Sequence, residues 1–168
     1  MYYSIWHTEF GWMGALGDEQ GLAYIVLPKS AEAEVFEILK RHATTDRLEE
    51  KPSLFADLIR EINCYFQGAA FDFTRFKLQW QLVTPYRQKV LRKAMEIPYG
   101  ETRTYKWLAE AVGNPKGSRS VGQAMANNPW PIVVPCHRVI GTGGKLTGFG
   151  GGLALKERLL ALEAGQSK

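Results

Sequence analysis

The chain has 168 residues, a formal net charge of +4, 45% apolar residues and 23% charged ones. That balance is an ordinary globule's, long enough for one sizeable core or two small ones, and it excludes a disordered chain. No apolar run approaches the roughly 20 residues that cross a bilayer, and the start Met1-Tyr2-Tyr3-Ser4-Ile5-Trp6 lacks the basic and apolar stretches of a signal peptide, so the cytoplasm or nucleoid is the expected location.

The first elements alternate apolar and polar residues in short runs, Tyr2 to His7, Trp12 to Leu16 and Leu22 to Leu27, separated by glycine-bearing turns. This pattern predicts strands of an antiparallel sheet. Helical spacing then takes over, with Val35, Ile38, Leu39 and His42 on one face and Leu54, Leu58, Ile62 and Phe66 on a second, which ends at Gly68. Residues 71–81 lose the helical period and lead to Thr84-Pro85, an N-cap followed by proline at the first helical position. The domain junction is expected near residue 80, giving an N-terminal α+β domain over residues 1–80 and a helical C-terminal domain over residues 81–168.

In the second domain a helix from Pro85 to Met95 stops before Ile97-Pro98. Thr104 then caps a helix from Tyr105 to Ala111, Gly113-Asn114-Pro115 forms a turn, and Ser118 opens a second helix to about Asn127, which makes a helix-turn-helix candidate. Gly117, Ser118, Ser120 and Gly122 leave the start of that second helix nearly bare, with Arg119 its one long side chain. Such a surface suits close packing on another helix and equally the approach of a phosphate backbone to a helix N-terminus.

Pro135-Cys136-His137-Arg138-Val139-Ile140 follows the apolar run Ile132-Val133-Val134 and sets a thiol beside an imidazole. Two readings stand at this point: a buried structural cysteine next to a surface histidine, or a nucleophile drawn toward thiolate by a neighbouring base. Cys64, within the second helical pattern, reads as packing, and both thiols are expected to be free. With His7, His42 and His137 scattered and no Cys-x-x-Cys or His-x-x-x-His spacing, neither a metal nor a cofactor is expected. Two glycine-rich turns follow, Gly141 to Gly144 and Gly148 to Gly152, without the Gly-Lys-Ser or Gly-Lys-Thr of a phosphate-cradling loop. A last helix from Leu153 to about Ala164 carries Leu155, Leu159, Leu160 and Leu162.

Read in order, Ile97-Pro98-Tyr99-Gly100-Glu101, Thr104-Tyr105, Gly113-Asn114-Pro115, Arg119 to Met125, Asn128-Pro129, Ile132 to Ile140, Gly151-Gly152-Leu153 and Glu163 resemble the O6-alkylguanine-DNA alkyltransferases, a DNA-repair family. The motifs span residues 97–163, whereas the N-terminal part is similar only in its strand-then-helix layout. The resemblance implies a ribonuclease-H-like antiparallel sheet with helices, then a winged-helix, helix-turn-helix-like domain. It implies a monomer that takes an alkyl group, once and irreversibly, from O6-alkylguanine in double-stranded DNA. O4-alkylthymine is a further candidate substrate.

On the same resemblance Cys136 is the acceptor, His137 its base through a bridging water, Glu163 the group that orients His137, and Tyr105 the proton donor to the departing guanine. The pairing with His137 leads us to expect a Cys136 thiolate populated below the ordinary cysteine pKa of about 8.5. Arg119 would fill the space of an extruded nucleotide, with Gly117, Ser118, Ser120 and Gly122 admitting the helix to a minor groove only about 6 Å wide. Extrusion follows from geometry, because a stacked base cannot offer its O6 group to a thiol in a pocket. Val139 and Cys136 would present carbonyls to the guanine amine, Phe149 and Gly150 would close the pocket, and Asn128 would sit at the hinge between the recognition helix and Cys136.

Several relatives carry tyrosine and serine where this chain has Phe149 and Gly150, which implies a roomier pocket open to groups larger than methyl. The zinc ligands of some relatives' N-terminal domains have no counterpart here. An alkyltransferase-like lesion binder without catalysis is the main alternative, and Cys136 argues against it because such proteins replace the acceptor. A plain helix-turn-helix regulator would leave Cys136 and Glu163 without a role, and a cysteine hydrolase would need an oxyanion pocket that the sequence does not announce.

Overall fold

A computed structural model describes residues 1–165, which form two compact units, Met1–Gln79 and residues 80–165. The first is built on a four-stranded sheet. Strands β1 (Tyr2–Thr8), β2 (Gly11–Asp18) and β3 (Gly21–Lys29) pair antiparallel in chain order, as the alternation predicts. A two-residue strand, β4 (Glu49–Glu50), adds a parallel edge beside β1, so the sheet is mixed rather than wholly antiparallel.

Helix α1 (Glu32–His42) packs on one face of this sheet through Val35 and Leu39, which join Leu16, Ala23 and Val26 in one buried cluster. Gly14 makes the approach possible: a Cβ there would lie 2.5 Å from Val35 Cγ1 and 3.1 Å from Leu39 Cδ1. His42 is exposed at the end of that helix and stacks on Tyr24 with ring centroids 3.7 Å apart. The second helical pattern begins as a 3-10 turn, Pro52–Phe55, and continues as α2 (Ala56–Phe66), burying Phe55, Leu58, Ile62, Tyr65 and Phe66. The irregular stretch that follows returns to β3, where Leu22 N donates to Lys77 O and Gln79 N to Leu22 O.

In the second unit α3 (Pro85–Ala94) starts at the Thr84 cap, whose hydroxyl accepts from Arg87 N, and α4 (Tyr105–Ala111) starts at the Thr104 cap, which accepts from Trp107 N. Each cap satisfies an N–H that the first helical turn leaves over. After a turn through Gly113, held at φ 79°, comes α5 (Ser118–Ala126). Val90, Leu91, Ala94, Leu108, Ala109, Val121, Ala124 and Met125 bury the facing sides of these three helices. Strands β5 (Arg103–Thr104) and β6 (Val139–Ile140) pair parallel, and α6 (Leu153–Glu163) closes the unit. Among the described residues no helix is long and apolar enough to cross a membrane.

Candidate active site

The segment that carries Cys136 is built from the end of α5 outward. Residues 128–139 are buried throughout, an unusual state for a connection and one that obliges its polar groups to find partners. Asn128 supplies two of them: its amide donates to Val134 O at 2.9 Å, and its carbonyl accepts from Trp130 N at 3.0 Å. Val134 N in turn donates to Trp130 O at 2.8 Å. The turn so closed holds Ile132 at φ 75°, a left-handed conformation that a β-branched residue adopts at a cost of about 1–3 kcal/mol. Asn128 thus ties the end of α5 to the residues that lead into the thiol.

Cys136 opens a 3-10 turn, Cys136–Arg138, and is only 4% exposed. Burial pushes its thiol above the ordinary value; the Asn128 amide and the Lys156 charge act in the opposite direction without prevailing. The expectation of a resting thiolate is therefore corrected. A sulfur closed off from water is costly to charge, whatever imidazole stands beside it in sequence.

His137 is fully buried, and its Nε2 lies 2.5 Å from Glu163 Oε2. A carboxylate accepts only, so Nε2 carries the proton and Nδ1 is the basic nitrogen. Burial lowers the pKa of His137, as do the charges of Arg138 and Lys156, while Glu163 raises it; the net direction is down. Glu163 also accepts from Arg138 Nε at 2.7 Å, Arg138 Nη2 at 3.2 Å and Gly100 N at 3.1 Å. Burial alone would push its carboxyl up, but the bonds and charges of His137 and Arg138 outweigh it and hold the group far below the usual carboxylate range.

Two residues of this site carry no role in the sequence reading. Arg138 is buried and clamps Glu163 while its Nη1 donates to Ile97 O at 2.8 Å. Lys156, fully buried on α6, donates to Val139 O at 2.6 Å, to Thr147 O at 2.9 Å and to Tyr105 Oη at 3.3 Å. The signal for Lys156 was its spacing: Lys156, Leu159 and Glu163 share one face of α6 at helical intervals, so two charged residues stand on the buried side of a helix. Tyr105, the first residue of α4, donates its own proton to Thr147 O at 2.9 Å.

Tyr105 also lines a cleft of about 490 Å3, with Lys106, Ser118, Arg119, Gly122, Gln123 and Ala126 on one side and Thr142, Thr147 and Gly148 on the other. Arg119 is exposed at its wall and Gly122 has no neighbour where a Cβ would stand. Ser120 is exposed, but its hydroxyl is engaged by Gly117 O and Tyr86 Oη, each at 2.9 Å. Gly117 departs from the expected groove-facing row. It is buried, and a Cβ there would fall 2.0 Å from Asn114 Nδ2, so its bareness serves the turn between α4 and α5. Phe149 is half-buried, and Gly150 approaches the end of α5, where an added Cβ would lie 3.6 Å from Ala126 O. Val139 is buried, and its carbonyl accepts from Lys156 Nζ. Among the described residues no group of three or more His, Cys, Asp and Glu is arranged to hold a metal ion.

The comparisons with known proteins agree over the whole chain. A family model described as the ribonuclease-like domain of 6-O-methylguanine DNA methyltransferase matches residues 1–80, and one described as its DNA-binding domain matches residues 85–165. The methylated-DNA–protein-cysteine methyltransferase of Methanosarcina acetivorans is 42% identical over 163 residues, covering 97% of this chain and 98% of the relative. That of Mycolicibacterium paratuberculosis is 48% identical over 115 residues, 68% of each chain. The crystal structure of Mycobacterium tuberculosis OGT in complex with DNA is similar with a TM-score of 0.80 at 32% identity, over 98% of this chain and 94% of that one. With both halves of the family matched in order around a buried thiol, imidazole and carboxylate, this chain belongs to the 6-O-methylguanine DNA methyltransferases, the methylated-DNA–protein-cysteine methyltransferase family.

Proposed function

We propose that this chain repairs DNA by direct reversal, moving an alkyl group from O6-alkylguanine in duplex DNA to Cys136 in a single turnover. The observation that carries this reading is the shared burial of Cys136, His137 and Glu163 on one turn and one helix, with the last two in direct contact. The sulfur attacks the alkyl carbon, a carbon–sulfur bond forms as the carbon–oxygen bond breaks, and the electron pair leaves with guanine. The thiol proton passes through a water to His137 Nδ1, while Glu163 keeps accepting from Nε2–H and holds the ring in place. Tyr105 supplies a proton to the departing guanine and recovers one through its contact with Lys156. Because the resting thiol is protonated, loss of its proton is coupled to the attack rather than completed beforehand.

Residues 81–168 handle the DNA, and residues 1–80 are the ribonuclease-like domain. Arg119 takes the place of the extruded nucleotide, Ser118, Ser120 and Gly122 face the groove, and Val139, Phe149 and Gly150 bound the base pocket. The protein works as a monomer in the cytoplasm, on double-stranded DNA, without a cofactor. Incubation with duplex DNA carrying O6-methylguanine tests the reading: product saturates at one equivalent, and peptide mapping finds the methyl on Cys136 and not on Cys64. Turnover beyond stoichiometry, methyl on Cys64, or tight lesion binding without transfer would each overturn it. Arg119→Ala is expected to slow repair of the duplex far more than reaction with free O6-benzylguanine, since extrusion costs a few kcal/mol only in the duplex.

A further inference from the structure

Three charged groups act on His137: Glu163 and Lys156 from α6, and Arg138 beside it in the chain. Among the described residues the site also holds Cys136, Tyr105, whose hydroxyl lies 3.3 Å from Lys156 Nζ, and Tyr99, whose ring centroid is 5.7 Å from the Arg138 guanidinium carbon. Helix α3, which packs on the same turn, buries Val90, Leu91 and Ala94, none of them titratable. Burial is the largest influence holding His137 neutral, Glu163 opposes it, and how far Glu163 does so turns on how its charge is shared.

A lone buried carboxylate in contact with a histidine favours the imidazolium. An imidazolium has no lone pair left and cannot take a proton from a thiol. Here, however, Glu163 is gripped first by Arg138, which spends two guanidinium N–H groups on its two oxygens and a third on Ile97 O. The fork is bidentate and buried, with side chains 8% and 1% exposed for Arg138 and Glu163, so solvent cannot replace it. Arg138 and Glu163 form a neutral unit, and His137 meets an oxygen whose orientation is set and whose charge is already matched.

We propose that Arg138 is a positioning residue which, by clamping Glu163 and cancelling its charge, keeps His137 neutral at rest with Nδ1 ready to receive the thiol proton. The carboxylate then does two separate jobs. Its position fixes the tautomer, while its paired charge leaves the ring uncharged until the proton arrives. This inference rests on the base role of His137 proposed above, and it adds a residue and a reason for the pH range in which that base works.

The test is the pH dependence of single-turnover methyl transfer from duplex O6-methylguanine, measured on the full chain from mildly acidic to mildly alkaline conditions. Arg138→Gln leaves Glu163 unopposed, so the acidic limb of the profile, where His137 is protonated, is expected to move up by about one to two pH units, with the rate recovering toward that of the unaltered protein at alkaline pH. Arg138→Lys keeps the charge and is expected to hold the limb near its original place. A merely structural Arg138 would lower the rate by one factor at every pH, and that result would overturn the proposal. If Arg138→Gln does not fold, as melting would reveal, the titration of the His137 ring nitrogens by NMR in the unaltered protein decides: a neutral Nε2–H ring at neutral pH supports the proposal and an imidazolium refutes it. His137→Gln run in parallel separates the two readings. If that variant keeps the full rate and profile, the base assignment itself fails; if it loses rate while Arg138→Gln leaves the limb unmoved, only the role given to Arg138 fails.

Discussion

The ammonium of Lys156 lies 3.3 Å from the hydroxyl of Tyr105, and both groups converge on one acceptor, Thr147 O, at 2.9 Å each. With Val139 O at 2.6 Å as its third partner, Lys156 joins α6, the strand after Cys136, the glycine-rich loop and the first turn of α4 through a single nitrogen. Lys156→Met keeps the length of the side chain and removes every one of these bonds. Leaving the buried Val139 carbonyl without its cation costs about 1–3 kcal/mol. Where that cost falls on the reactive arrangement, transfer slows by roughly 10- to 100-fold. The variant also removes a positive charge that favours the thiolate of Cys136, so its rate should recover at alkaline pH. Single-turnover rates across pH are the measurement; a variant that melts lower yet transfers at the original rate would show that Lys156 is only a structural tie.

Acid should act on this protein in two stages. Because burial lowers the folded pKa of His137, the unfolded chain takes up a proton at this residue before the native one does. Its contribution to stability is whole above the ordinary histidine value of about 6.5 and drains as pH falls below it. Glu163, held far below its ordinary value, contributes stability that is whole above about 4.3 and is lost as pH falls from there toward the lower folded value. Melting temperatures measured against pH should therefore fall gently through the weakly acidic range and steeply beyond it. His137→Gln should flatten the first stage, and an unchanged slope in that variant would place the first stage on other groups.

The burial of Cys136 reverses an expectation about thiol chemistry. Cys64 is half-buried on α2, whereas Cys136 is closed off and held as the thiol. Iodoacetamide at neutral pH, with no DNA present, should accordingly label Cys64 faster than Cys136. Reactivity of Cys136 toward its own substrate then comes from binding and coupled proton transfer rather than from a standing thiolate. Preferential labelling of Cys136 would mean that the site opens in solution far more than its packing suggests.

Local signals were the ones that could be read in advance. Thr84 and Thr104 are caps because a threonine oxygen reaches its own helix's spare N–H, a matter of three residues. The strand pattern of residues 2–27 is legible from short apolar runs cut by glycine-bearing turns, although only β1 alternates in burial while β2 and β3 are buried on both faces. Strand β4 is not: Glu49 and Glu50 are exposed acids with no alternation, and they pair only because the backbone there meets Met1 and Tyr3. Within the site, Cys136, His137 and Glu163 were found through the order of their motifs, whereas Arg138 and Lys156 were not. A long cation in a leucine-rich helix reads as solvated until the chain is seen to bring a carbonyl from residue 139 and another from residue 147 against it. Gly117 is ambiguous in sequence for a related reason. A bare helix start admits close approach on either side, and here the neighbour is Asn114 of its own turn.

The spent protein should be less stable than the fresh one, and the route is traceable. An alkyl group on the sulfur adds volume at a residue 4% exposed, where close-packed surroundings respond by displacement at a typical cost of about 1–3 kcal/mol. The neighbour that gives way is Asn128, whose amide faces the sulfur while also holding Val134 O and Trp130 N. Asn128 N is bonded in turn to Met125 O at 3.3 Å, so a shift there loosens the end of α5. Ile132, already in a left-handed conformation between these contacts, leaves the turn little reserve against such a shift. For a chain of this length each kcal/mol lowers the melting temperature by about 2–4 °C. The loss should be larger for benzyl than for methyl, but tempered here because Gly150 sets no side chain beside the end of α5, where a Cβ would already touch Ala126 O at 3.6 Å. Gly150→Ser should steepen the difference between the two alkyl groups. Melting curves of unreacted, methylated and benzylated protein, with and without Gly150→Ser, measure it, and a benzylated protein as stable as the free one would break the proposed link between Cys136, Asn128 and the recognition helix.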